Sequence, residues 1–152
     1  MNKQERYDAM YMDIAQRVGE MSYDSDTKVG AVIVKDGNII SMGWNGTPAG
    51  FPNDCKHPET GVTLPYVIHA EANAICKLAR GGGNGSHAVL YTTVAPCMEC
   101  TKLILQSGIT EVVITKADER YLDGYKILNE KGMIRLCKSI TCLLYTSDAA
   151  DE

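Results

Sequence analysis

No stretch of the 152-residue chain approaches the roughly 18 consecutive apolar residues of a membrane span, and no run of lysines or arginines occurs in it. The first absence excludes a hydrophobic spanning helix. The second, with 15 basic against 19 acidic side chains and a net charge of -4, removes the electrostatic footprint that DNA, RNA or an anionic membrane requires. Aromatics other than tyrosine are scarce, with one Trp and one Phe, so no basic stripe interleaved with stacking rings is present to hold single-stranded bases. Polymeric nucleic acid and membranes are therefore not expected partners. The N-terminus "MNKQERYDAM" has no apolar signal core, which gives a cytoplasmic reading. In that compartment the six cysteines, Cys55, Cys76, Cys97, Cys100, Cys137 and Cys142, read as buried thiols or metal ligands rather than a disulfide framework.

What is there reads as one α/β domain. Apolar residues recur at three and four from Tyr7, predicting an amphipathic helix over 4–21. "KVGAVIVKDGNIISMGW" predicts two β-branched strands joined at Asp36-Gly37, and the Gly-, Pro- and Asn-rich segment 45–65 is too long for a turn and reads as a functional loop. A helix over 69–78, a strand in "HAVLYTT", a helix from Cys97 to Gln106 closed by Gly108, a strand in "EVVIT", a helix over 121–131 and a last strand in "MIRLCK" follow. This alternation predicts helices covering a sheet whose later strands are parallel. "GGGNGS" leads into a strand and lacks a following Lys-Ser/Thr, so it is a connector and not a phosphate cradle. The segment Cys142–Glu152, "CLLYTSDAADE", continues no pattern and resembles the translated read-through of a sequencing adapter. The domain is therefore expected to span residues 1–141, with 142–152 a non-native tail.

The chemistry concentrates in two short stretches, "YVIHAEANAI" and "APCMEC". His69 and Glu71 stand two apart, a spacing that does not share a helix face, so they can cooperate only at a helix start. Cys97 and Cys100 stand three apart at another helix start, where both sulfurs share a face and the positive end of the helix favours thiolates. One imidazole and two thiolates make a three-ligand zinc site, and three protein ligands with one position left open is the pattern of catalytic rather than structural zinc. His-x-Glu followed downstream by Pro-Cys-x-x-Cys is the signature of zinc-dependent nucleobase deaminases, in which the Glu is not a ligand but moves protons. Glu71 is accordingly the expected proton shuttle. A structural zinc closed by Cys55 or His57, or a second metal at that pair, is the alternative; exposed loop residues are the plainer reading of both. Cys76 and Cys137 read as small buried hydrophobes.

Four segments in order, "TKVGAVIV", "GWNGTPAG", "YVIHAEANAI" and "APCMECTKLILQSGITEVVI", resemble the deoxycytidylate deaminases of the cytidine deaminase superfamily, over most of the chain from Thr27 to Gly132. The Gly-aromatic-Asn-Gly-x-Pro-x-Gly loop carries the likeness to the deoxycytidylate group. The resemblance implies a three-layer α/β/α sandwich with a mixed, mainly parallel five-stranded sheet, and conversion of dCMP to dUMP. It implies His69, Cys97 and Cys100 as ligands of one Zn2+ per chain and Glu71 as the proton shuttle. Asn45 would contact the sugar or phosphate, and the backbone at Ala70 the base. Lys28 is a further candidate for the phosphate, its alternative a solvated lysine at a strand start; Thr47 can donate to the same 5′ end. Many relatives of this kind are hexamers, switched on by dCTP and off by dTTP, so the resemblance implies a homo-oligomer, hexamer or dimer, and an effector region at "GWNGTPAG". Tyr121 stands near a phosphate-reaching tyrosine of some relatives but is shifted from it. Deaminases of cytidine, cytosine, guanine or a riboflavin-pathway pyrimidine, and a zinc-stabilised binding module, are the rival readings.

Overall fold

Asp36 and Gly37 both take positive φ, 51° and 77°, the pair of left-handed residues that a two-residue type I′ turn needs. They close the expected hairpin. The structure, a computed structural model, describes residues 1–115 and 117–137. Within these the chain runs α1 (Lys3–Gly19), β1 (Gly30–Lys35), β2 (Asn38–Trp44), α2 (Ala70–Arg80), β3 (Val89–Thr92), α3 (Met98–Gln106), β4 (Glu111–Ile114), a 3₁₀ turn at Glu119–Tyr121, α4 (Leu122–Glu130) and β5 (Ile134–Leu136). The strands form one sheet in the order β2-β1-β3-β4-β5. β1 is antiparallel to both its neighbours, whereas β3, β4 and β5 are parallel, joined by crossovers through α3 and α4.

Alternate residues of the inner strands feed two separate cores. Ala31, Ile33, Leu90, Val112 and Ile114 pack with Ala74, Leu78, Ile104 and Leu128 from α2, α3 and α4. Val32, Val34, Tyr91 and Val113 pack on the other face with Tyr11, Met12, Ala15 and Val18 of α1. A sheet apolar on both faces has to be covered on both, and the result is the expected α/β/α sandwich with a mixed five-stranded sheet. Among the described residues no helix is long and apolar enough to cross a membrane.

Two glycines set how closely the site-bearing helices approach. A Cβ at Gly43 would lie 2.5 Å from the Ala74 nitrogen and 2.6 Å from the Ala70 carbonyl oxygen, so only a bare backbone lets α2 rest on β2. A Cβ at Gly124 would lie 2.6 Å from Thr101 Oγ1 and 2.9 Å from the Pro96 carbonyl, which brings the start of α4 against the segment leading into α3.

Three expectations change. β5 is a short strand, and Lys138, the end of the expected strand, lies outside the described residues together with the 142–152 tail. Cys76 is exposed, not buried. The core-facing residues of α2 are Ala70, Glu71, Ala74 and Leu78, and Cys76, midway between the last two, falls on the opposite face. Cys55 is buried, at 4% exposure, where an exposed loop residue was expected, because segment 55–64 folds back on itself. Cys137 is buried as expected.

A charged bridge ties α1 to the far edge of the sheet. Asp8 is buried in α1; it accepts from the Tyr91 hydroxyl at 2.5 Å and from Arg135 Nη1, while Arg135 Nε donates to Glu111 at 2.6 Å. Burial, and then the hydrogen bond to Asp8, push the Tyr91 hydroxyl well above its ordinary value, so it remains a donor. Removing Asp8 strands a buried hydroxyl and leaves the half-buried guanidinium with Glu111 alone. Asp8→Ala should therefore cost about 2–3 kcal/mol of unfolding free energy, toward the lower end for a broken ion pair because Arg135 keeps some solvent. Urea unfolding with an unchanged m-value would show it; a shift under about 0.5 kcal/mol, ordinary for a surface change, would show the bridge to be dispensable.

Candidate active site

α2 and α3 begin in the same unusual way. Their N-cap residues, His69 and Cys97, have the extended backbone that starts a helix (φ -68°, ψ 154° and φ -71°, ψ 174°), yet neither side chain makes a capping hydrogen bond. Ser, Thr, Asp and Asn are preferred at such positions because they satisfy the first amides, so residues that do not are placed there for another purpose. Here the two side chains turn toward each other. His69 Nδ1 lies 3.4 Å from Cys97 Sγ and 3.4 Å from Cys100 Sγ, and the three atoms lie within 4.8 Å of one another. Tetrahedral zinc with ordinary zinc-nitrogen and zinc-sulfur bonds would hold nitrogen and sulfur about 3.6 Å apart, so the cluster fits the ion closely. The donor set fits as well. Burial, and then the carboxylate of Glu71, push the Cys100 thiol far above its ordinary value, so its thiolate requires a cation beside it. The triad is a zinc site. It joins all three expected ligands and is the one cluster of its kind among the described residues.

Glu71 lies in the first turn of α2 and is buried, at 4% exposure. Its Oε1 is 2.9 Å from Thr92 Oγ1 at the C-terminal end of β3, and the same hydroxyl lies 3.0 Å from the Val94 carbonyl. Burial drives the Glu71 carboxyl above the usual carboxylate range, against hydrogen bonds with Cys100 and Thr92 that pull it down. A single hydroxyl proton serves either acceptor: Thr92 can donate to ionised Glu71, or turn to Val94 and accept from the acid. His69 is still outside the helix and Glu71 already inside it, so both reach the same cleft.

The cleft is walled by the ends of β1 and β2, by the long loop and by the 3₁₀ turn after β4. Asn45 lines it, with its Oδ1 accepting from the Val29 amide at 2.9 Å and its Nδ2 donating to the Thr27 carbonyl at 2.8 Å. The amide therefore staples segment 27–29 to the end of β2 and keeps one N–H for a ligand. Ala70 also lines the cleft. Lys28 is exposed and Thr47 half-buried, and neither is among the lining residues. Asp24, Lys56, Arg120 and Tyr121 are, and the motif reading did not select them. Asp24 is the one with a local signal, since an Asp two and three residues before backbone amides can fold an Asx-turn: its Oδ1 accepts from Asp26 and Thr27 at 2.9 and 3.0 Å. His57 is exposed, and its Nδ1 is engaged with the amides of Glu59 and Thr60, while Cys55 faces the Asn53 carbonyl at 3.6 Å. Neither joins a cluster of three or more metal-ligating groups among the described residues.

Residues 5–116 match the family model described as the cytidine and deoxycytidylate deaminase zinc-binding region. The chain is 35% identical to the deoxycytidylate deaminase of Enterobacteria phage T4, over 80% of this chain and 84% of that protein. It is 36% identical to the deoxycytidylate deaminase of Mycobacterium phage D29, over 72% of this chain and 94% of that one. The crystal structure of the dCMP deaminase from cyanophage S-TIM5, solved in complex with dCMP and dUMP, superposes with a TM-score of 0.80 at 36% identity, covering 90% of this chain and 98% of that one. Matches that run through both halves of the zinc motif, on a fold that brings those halves together, place this chain in the cytidine and deoxycytidylate deaminase family.

Proposed function

We propose that the chain catalyses the hydrolytic deamination of dCMP to dUMP and ammonia. The observation that carries this is a buried carboxylate, Glu71, outside the zinc triad and hydrogen-bonded by Thr92, on a chain similar along nine-tenths of its length to an enzyme solved with dCMP and dUMP. The domain that does this spans residues 1–141.

His69, Cys97 and Cys100 hold the metal, which supplies the Lewis acidity that activates water for attack on the ring. Glu71 accepts a proton from the attacking water at a carboxylate oxygen and delivers it to ring nitrogen N3, as water oxygen bonds to C4. The second water proton returns through the same carboxyl to the exocyclic amine; the C4–N bond breaks with its electron pair on nitrogen, C4 becomes a carbonyl, and ammonia leaves. Thr92 keeps Glu71 hydrogen-bonded in either protonation state. Asn45 and the backbone at Ala70, both in the cleft lining, contact the nucleotide. The raised Glu71 carboxyl suits a group that must both take and give a proton near neutrality.

Assembly as a hexamer or dimer and control by dCTP and dTTP belong to the same proposal. Supporting them is an exposed aromatic pair, Phe51 and Tyr66, with ring centroids 5.3 Å apart beside the "GWNGTPAG" loop. A cytoplasmic site of action fits a small-nucleotide substrate. The test is a side-by-side ultraviolet assay of dCMP, CMP, deoxycytidine and dCTP. Turnover of dCMP at least about tenfold above deoxycytidine is expected, the scale of one charge-assisted contact to the phosphate. Preference for the unphosphorylated nucleoside, or turnover of none with zinc bound, overturns the reading.

A further inference from the structure

The cleft has two cationic side chains in its lining, Lys56 and Arg120, and they are held very differently. Arg120 is 64% exposed, and its Nε and Nη2 clasp the carboxylate of Asp118 two residues earlier, at 2.8–3.3 Å. That pair is local, solvated and internally neutral, and contacts of this kind contribute little direction or strength.

Lys56 is only 21% exposed. Its ammonium donates to Thr63 Oγ1 at 2.7 Å and lies 3.3 Å from Asp24, whose side chain is 3% exposed. The backbone around it is tied into a small ladder: Lys56 pairs with Thr63, the Leu64 amide donates to the Cys55 carbonyl at 2.9 Å, and the His57 amide to the Val62 carbonyl at 2.8 Å. Asp24 is fixed in turn by the amides of Asp26 and Thr27. An ammonium has three donors, and two contacts leave one for a ligand. Rotamer freedom that a surface lysine would lose on binding has already been lost here.

We propose that Lys56 is the specificity-determining residue that recognises the substrate's 5′-phosphate monoester, and that Asp24 and Thr63 position it. This rests on the deamination reading above. Because Asp24 balances the charge of Lys56, the residue acts as a short, directed N–H⁺ donor rather than through a long-range field. It discriminates nucleotide from nucleoside without making the cleft a general anion trap. Lys28, exposed and away from the lining, has no such preparation.

The experiment is isothermal titration of the zinc-loaded full chain with dUMP and with 2′-deoxyuridine, beside the dCMP assay. Lys56→Met keeps the apolar stem and removes the charge. It should weaken dUMP binding about tenfold to a hundredfold, the scale of one charge-assisted hydrogen bond, and lower the dUMP-to-deoxyuridine affinity ratio by at least about tenfold. Lys56→Arg should recover part of the ratio, and Arg120→Met should lower it less than Lys56→Met does. Equal weakening of both ligands shows that Lys56 only seats the loop, and unchanged dUMP binding places the phosphate elsewhere; either overturns the inference while wild-type dCMP turnover keeps the parent reading standing. Wild-type protein that neither binds dUMP nor deaminates dCMP overturns both. Should Lys56→Met fail to fold, Thr63→Val retains the charge and removes one anchor: severalfold weaker dUMP binding supports the positioning, and full affinity refutes it.

Discussion

Glu71→Gln is expected to keep its zinc and lose roughly a thousandfold to ten-thousandfold in kcat. General acid–base catalysis by one positioned group is worth about a hundredfold to ten-thousandfold, and in the proposed mechanism the same carboxyl serves the water, the ring nitrogen and the departing amine, which argues for the upper part of that range. Gln has the shape of Glu and can still meet Thr92, now 2.9 Å from Glu71 Oε1, but it cannot accept and return a proton. The metal should stay, since His69, Cys97 and Cys100 are untouched and Glu71 is outside their cluster. The same substitution should leave the protein as stable as wild type or slightly more so. A buried carboxylate is costly to desolvate, and burial is the largest influence on Glu71. Activity and stability would then move in opposite senses, the mark of a residue kept for chemistry rather than for folding. Zinc content by elemental analysis, thermal melting and dCMP turnover check the three parts. A kcat within tenfold of wild type would remove Glu71 from the proton path.

How much of this was legible in the sequence depended on the distance over which each feature is encoded. Asp36-Gly37 dictates its turn through two residues' own backbone preferences, and the hairpin followed. The zinc triad was equally readable, because each half sits within a few residues of one helix start and the chemistry of the three donors is complementary. Which face a helix buries was harder. Cys76 lies two residues from buried Ala74 and two from buried Leu78, and composition alone did not show that it points outward. Cys55 depended on how an irregular loop closes. The Asp24–Lys56 pair joins residues 32 apart in the chain, and the Asp8–Arg135 bridge joins α1 to β5; neither leaves a pattern in local spacing. Lys28 stands inside a recognisable motif, whereas Lys56 sits between Cys55 and His57, in the part of the long loop weighed only for those two residues, and is the lysine that lines the cleft. Motifs locate the zinc triad; the cleft walls around it come from tertiary contacts.

Stripping zinc with a strong chelator should abolish turnover and leave the protein folded, and restoring about one zinc per chain should bring the activity back. The reasoning starts from where the stability resides. Both apolar cores, one on each face of the sheet, are complete without the metal ligands' contribution: Leu90, Val112, Ile114, Ile104 and Leu128 on one side, Met12, Val32, Tyr91 and Val113 on the other. A structural zinc of the finger type leaves an unfolded chain when it is removed, because no such core exists beneath it. Here the apo protein should keep a cooperative thermal transition. Its Tm should fall, since a ligand bound only by the native state adds RT ln(1 + [L]/Kd); a contribution of about 3–4 kcal/mol in a domain of this size corresponds to roughly 6–16 °C. Loss of the ion also returns Cys100 to the thiol, which its burial strongly favours, so zinc uptake releases protons and weakens as pH falls. Circular dichroism, calorimetric melting and elemental analysis on the same samples separate the cases. An apo chain without a cooperative transition would make the zinc structural, and a stoichiometry of two would require ligands beyond His69, Cys97 and Cys100.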